Sequence, residues 1–247
     1  MMKKLVIAVM AVAMLLASFA LAEDYAIATD TAFRPFEFTD ETGTLVGIDV
    51  EILTAIAEDQ GFTFTIEPLG WDASIAACQA GQKDGMIAAA SITDERVAEG
   101  WIFSDGYFTA TQSMAIAQDA PIQSLEDLQG HSVAVKAETL SQDYADSLAE
   151  QYGFTVRSYG STLAVFMAVT GGECAACIED TPVIEDYIRN GGVFLQMLDG
   201  TANEGSEYGF VVFNPDKQEL VDKFNAGLAN IKASGVYDEI LARYMGE

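Results

Sequence analysis

Basic residues are scarce in this 247-residue chain: 12 lysines and arginines stand against 38 aspartates and glutamates, a formal charge of −26. That imbalance excludes a simple nucleic-acid binder, whose partner's phosphates would be repelled over the whole surface, and it disfavours adhesion to anionic lipid. The single histidine, His131, lies in Gln129-Gly130-His131-Ser132, a turn before a strand. One imidazole cannot build a His-ligated metal centre, and a solvated turn residue is the simpler reading than a catalytic one. The chain has no Gly-rich phosphate loop, no G-x-S-x-G elbow and no H-E-x-x-H. Those absences remove the common nucleotide, hydrolase and metalloprotease templates, and neither a metal nor a cofactor is expected.

Cysteine is equally sparse. Cys174 and Cys177 form a C-x-x-C, but no second pair exists to complete a zinc site, and Cys78 falls in an apparent helix. Residues three apart on a strand point to opposite faces, so structural thiols are expected rather than a redox pair.

The one long apolar run is Leu5 to Ala22, broken only by Ser18, preceded by Lys3 and Lys4 and ending in Ala20-Leu21-Ala22 before the acids Glu23 and Asp24. This is the pattern of a secretory signal peptide over residues 1–22, against the alternative of an uncleaved anchor. No cysteine near position 22 would carry a lipid. The remainder is expected to be exported and soluble, in the periplasm.

Past that segment, strand-like and helix-like stretches alternate. Tyr25 to Thr29 reads as a strand, and Ile48 to Gln60 carries Ile48, Ile52, Leu53, Ile56 and Ala57 at helical spacing up to Gly61. Phe62, Phe64 and Ile66 alternate with Thr63, Thr65 and Glu67, the mark of a half-buried strand. Gly85 to Ala89 is an apolar strand, and Thr93-Asp94-Glu95 opens a helix with a capping hydroxyl. A second such series begins near Ser113, and a late strand, Glu207 to Phe213, precedes a helix at Asp216 to Ala233. The rhythm predicts an α/β fold, with mostly parallel sheets flanked by helices. Two lobes are expected: residues 23–108 plus 207–247, and residues 109–206, with no floppy tether between them.

Charged side chains gather at the carboxyl ends of the predicted strands: Asp30, Ser91 with Arg96, Lys136, and Glu179 with Asp180. Ligands of open α/β sheets bind beyond those ends, where helix N-termini also point. Both signs of charge suit a small zwitterion. Arg96 can fork two bonds onto a carboxylate, and an acid such as Asp180 can accept an ammonium. Taken singly, each charge could equally cap a helix or form a rim ion pair. Phe33 and Trp71, in loops near strand ends, are read as ligand contacts, whereas Phe36 and Phe38 are read as core.

Several of these segments carry a family resemblance. They are Ala28-Thr-Asp-Thr-Ala-Phe-Arg-Pro-Phe-Glu-Phe38, Gly47-Ile-Asp-Val50, Ile92-Thr-Asp-Glu-Arg96, Phe103-Ser-Asp-Gly-Tyr107, Val133-Ala-Val-Lys136, Asp180-Thr-Pro182 and Gly235-Val-Tyr-Asp-Glu-Ile240. In order, over essentially all of the chain after residue 22, they resemble the periplasmic solute-binding proteins (family 3) of polar amino-acid ABC importers, most closely the glutamine-binding type. The resemblance implies a type II periplasmic-binding-protein fold, two crossover strands near 107–112 and 203–209, closure on a free amino acid, a membrane permease as partner, and no catalysis. A monomer is expected. Carried over residue by residue, Arg96, Ser91 and the backbone of Ala89 take the ligand carboxylate, and Asp180 takes the ammonium. Phe33 and Trp71 flank the side chain, Asp30 with Lys136 reads its tip, and Thr139 and Leu140 add backbone donors.

Glutamine is the ligand this implies, since a carboxamide both accepts and donates and so complements an Asp30–Lys136 pair. Three departures stand out: Ser91 for threonine, Leu140 for glycine, and Glu179 where the glutamine type has histidine. Glu179 favours the alternative of a cationic amino acid, and a dehydratase-type enzyme on the same fold is the other rival.

Overall fold

The computed structural model describes residues 23–190 and 192–246, so the expected signal peptide, 1–22, lies outside the described residues. In chain order the strands are β1 (Asp24–Thr29), β2 (Ala32–Phe33), β3 (Glu37–Thr39), β4 (Leu45–Val46), β5 (Thr63–Pro68), β6 (Gly85–Ser91), β7 (Ile102–Phe103), β8 (Phe108–Ala110), β9 (Gln112–Ala117), β10 (Ser132–Lys136), β11 (Thr155–Tyr159), β12 (Ala176–Asp180), β13 (Leu195–Met197) and β14 (Ser206–Val212). Among the described residues no helix is long and apolar enough to cross a membrane.

Two mixed sheets with flanking helices give a two-lobed α/β fold. One has the order β5-β1-β6-β14-β7, with β8 also on β14; the other runs β11-β10-β12-β9-β13. Every residue of β6 and of β12 is buried, which is why these two strands read as unbroken apolar runs with polar residues only at their ends. The pairings β1–β5, β1–β6, β10–β11 and β10–β12 are parallel, as the βα rhythm predicts. The strands β14, β9 and β13 run antiparallel to their neighbours. The sheets are therefore less parallel than expected. The cause is topological: β1 and β6 run towards the second sheet, whereas β14 arrives from it and runs back.

The chain passes between the sheets twice, through Thr111 and through 203–205. These passages are tied together: Asn203 Oδ1 accepts from the Gln112 N–H (2.8 Å) and the Gly205 N–H (3.0 Å), and Asn203 Nδ2 donates to Gln112 Oε1 (2.7 Å). Gly205 has φ +78°, and a Cβ there would lie 2.5 Å from the Ala110 carbonyl oxygen, so the close approach requires glycine.

The small sheet β2-β3-β4 packs against the helix Ile48–Gln60. It is fixed by the Asp49 N–H donating to the Phe36 carbonyl (2.9 Å) at the start of helix Ile48–Gln60. Phe36 and Phe38 are buried, as read from the sequence. Cys78, Cys174 and Cys177 are free and buried; burial pushes the Cys78 thiol up to about 12 and Cys177 higher still, so neither is a ready nucleophile. His131 is exposed.

Candidate functional site

The strand ends of the two lobes face each other across a narrow cavity of about 20 Å³. Phe33, Trp71, Ala89, Ser91, Arg96, Lys136, Thr139, Leu140, Glu179 and Asp180 all line it. Local structure explains how each gets there. Gly70, at φ +95°, turns the chain into helix Trp71–Gln79, so Trp71 is the first helical residue rather than part of a loop. Thr93 caps the short helix Asp94–Ala98 by accepting from the Arg96 N–H (3.1 Å), which puts the Arg96 side chain one turn beyond β6. Leu140, expected in a loop, begins helix Leu140–Tyr152.

Arg96 is gripped from both lobes. Its Nη1 donates to the Ser91 carbonyl (2.9 Å), its Nη2 to the Glu138 carbonyl (3.3 Å), and the guanidinium lies 5.2 Å from the Trp71 ring and 4.9 Å from that of Trp101. Burial lowers its pKa, opposed by the charges of Asp143 and Asp180, and an arginine so shifted stays protonated. Trp71 Nε1 also donates to the Glu138 carbonyl (3.1 Å). Glu138, with φ +57°, is a closure contact made through its backbone alone.

Asp180 is held by two donors, Gln112 Nε2 (2.6 Å) and the Tyr208 hydroxyl. Burial still raises its pKa, against those two bonds. Glu179 Oε2 accepts from Thr162 Oγ1 (2.9 Å), and Oε1 from the Asp180 N–H (3.1 Å) and Ser141 Oγ (3.4 Å). Burial first, and the neighbouring Asp180 second, push its pKa up to about 7.

Asp30 is the sequence-predicted residue that does not line the cavity. Its Oδ2 is ion-paired with Lys136 Nζ across the cleft, and its Oδ1 accepts from the Thr31 N–H (2.6 Å). Burial pushes the Lys136 ammonium down, but the charges of Asp30 and Glu179 outweigh it and the net shift is upward. The lysine also lies 4.8 Å from the Phe33 ring. The pair expected to read a ligand's carboxamide therefore satisfies itself.

Sequence reasoning missed the layer behind the cavity. Asp49 Oδ2 accepts from the Ala89 N–H (2.8 Å) and the Tyr107 hydroxyl (2.9 Å), holding Ala89 at φ +48°. Glu37 lies against it, fully buried; burial and Asp49 push it well above the carboxylate range, and burial brings Asp49 to about 6. Neither Glu37 oxygen nor Asp49 Oδ1 has another partner, so a proton kept on Glu37 supplies the missing donor. The only hints were Gly47-Ile-Asp and Phe-Glu-Phe, two acids inside apolar runs. Among the described residues no cluster of His, Cys, Asp and Glu is placed to hold a metal ion.

Two lobes facing each other across a small cavity of mixed charge are the arrangement of a binding protein. Residues 25–247 match the model of the bacterial extracellular solute-binding proteins, family 3, and the chain belongs to that family. The family match, together with similar solved structures that are amino-acid-binding proteins, speaks against the dehydratase alternative.

Among its relatives, the arginine-binding extracellular protein ArtP of Bacillus subtilis is 26% identical over 87% of this chain and 84% of its own. The lysine/arginine/ornithine-binding periplasmic protein of Escherichia coli is 27% identical over 91% and 88%. The crystal structure of the arginine-, lysine-, histidine-binding protein ArtJ from Geobacillus stearothermophilus superposes with a TM-score of 0.82 at 30% identity, covering 91% of this chain and 96% of that one. These likenesses correct the glutamine expectation. The physical reason is the Asp30–Lys136 pair, which leaves no free complement for an amide.

Proposed function

We propose that the chain is the extracytoplasmic receptor of an ABC importer for a cationic amino acid, captured by lobe closure. The observation that carries this reading is the charge left in the cavity. Asp30 and Lys136 cancel each other. Arg96, with Ser91 and the Ala89 backbone, serves an α-carboxylate, and Asp180 serves an α-ammonium. Glu179 then remains, a buried carboxylate bonded to neutral donors and, among the described residues, in no ion pair. An uncompensated buried charge is costly, and a ligand side chain of opposite sign removes that cost. The cationic ligands of ArtP, ArtJ and the E. coli relative support the same assignment.

In this reading Phe33 and Trp71 wall the side chain, and Thr139 and Leu140 offer N–H groups at a helix start. Asp30 and Lys136 act as a strut between lobes spanning 23–108 plus 207–247 and 109–206. Residues 1–22 direct export and are removed.

A thermal-shift panel on protein stripped of carried-over ligand tests the reading. Ligand at about 100 times Kd adds roughly 2.7 kcal/mol, or about 5–10 °C at this size. L-arginine, L-lysine or L-histidine is expected to give that shift, whereas L-glutamate gives none. A panel in which only neutral or acidic amino acids stabilise the protein would refute it.

A further inference from the structure

Away from the cavity, a second ion pair crosses the cleft. Arg34 Nε lies 2.9 Å from Asp186 Oδ2. Arg34 follows β2 in the first lobe, next to the cavity residue Phe33. Asp186 sits in the second lobe on helix Thr181–Asn190, which starts directly after Asp180. Neither residue lines the cavity.

Each partner is prepared within its own lobe. The Arg34 guanidinium stacks 3.9 Å over the Phe38 ring, and Asp186 Oδ1 accepts from Asn190 Nδ2 (2.9 Å) one turn along the helix. The Asp186 side chain is only 3% exposed and that of Arg34 30%. A second contact from the same helix, Arg189 Nη1 donating to the Met245 carbonyl (2.8 Å), reaches the C-terminal helix of the first lobe.

We infer that Arg34 and Asp186 form a latch that sets how much of the protein is closed, and hence the affinity for every ligand alike, without choosing among ligands. The reason is geometric. With the lobes apart, the Asp186 carboxylate returns to water and Arg34 has no partner, so their bond exists only in the closed state. Apparent affinity scales with the population of the binding-competent state, so a bond made only on closure multiplies affinity by its own Boltzmann factor. Exposed pairs contribute about one- to fivefold and hydrogen bonds to buried charges about ten- to a hundredfold; a pair with one buried and one half-buried member belongs near tenfold. Because neither side chain reaches the cavity, that factor is common to all ligands.

The inference rests on the lobe-closure reading above, and its test separates the two. Arg34→Met, Asp186→Asn and the double variant are titrated calorimetrically with L-arginine, L-lysine and L-histidine. Spin labels on the two lobes report the distance distribution without ligand. Each single variant is expected to weaken all three ligands by about tenfold with their ratios preserved. The double variant should be no weaker than either single. The ligand-free distances should shift towards the open state at an unchanged melting temperature.

Unchanged affinities, losses that differ by ligand, or a ligand-free distribution that is the same in variant and parent would overturn the latch. A parent protein that binds none of the three would refute the receptor reading, and the distance arm would still decide on the latch.

Discussion

Arg96→Met is expected to weaken binding of every amino-acid ligand at least 30-fold while the protein stays folded. An arginine enclosed between two indoles and two backbone carbonyls is the strongest fixed positive group in the cavity. Water is largely excluded there, so a ligand carboxylate that lost this partner would sit desolvated and unpaired. Truncating one member of such a pair costs about 2–5 kcal/mol, which is 30-fold to several thousandfold in Kd. The fold should survive, because Met keeps the aliphatic contact with Trp71 and Trp101 and the cap at Thr93 uses the backbone N–H. Calorimetry measures the loss, and an unchanged circular-dichroism melt shows it is local. Near-parental affinity would mean that Arg96 only braces the Glu138 carbonyl.

Glu179→Gln is the second large expectation, and it should discriminate. The variant keeps size and most of the bonds to Thr162, Ser141 and the Asp180 N–H but loses the charge. Affinity for L-arginine is expected to fall about 30-fold or more, while that for its uncharged isostere L-citrulline holds or rises.

A pH signature accompanies it. Burial first, and Asp180 second, push the Glu179 pKa up to about 7. A bound cation favours the charged form and lowers that value, so below pH 7 binding must expel a proton. Arginine affinity should therefore fall as pH drops below about 7, by up to about tenfold per unit from this group, and level off above it. Asp180, also raised, acts on the same limb. The Gln variant should thus keep a shallower slope. An identical slope and an unchanged arginine affinity would remove Glu179 from the site.

Much of this arrangement was legible in the sequence, for a reason particular to α/β sheets. Lys136 and Asp180 each end a strand, Asp30 follows one directly, and the strand ends face the cleft, so local pattern plus sheet logic brought them together. Trp71 was assigned to the site but not to a helix, because Leu-Gly-Trp offers no capping hydroxyl and the turn depends on Gly70 at positive φ. Glu138 was invisible, since it acts through a carbonyl that any residue carries.

The ligand error has the same kind of origin. Residues 30 and 136 were counted as two groups free to meet a ligand, and only three-dimensional pairing cancels them and leaves Glu179 as the net charge. Arg34 and Asp186, 152 positions apart, left no trace in either local pattern.

The most direct test of a receptor built around a leftover carboxylate is calorimetry of the unaltered protein with L-arginine and L-citrulline side by side at pH 8. The two ligands share length and shape and differ in charge at the tip. Arginine should bind at least about 30-fold more tightly than citrulline, because only a cationic tip pairs with the Glu179 carboxylate. Equal affinities, or tighter citrulline, would contradict it.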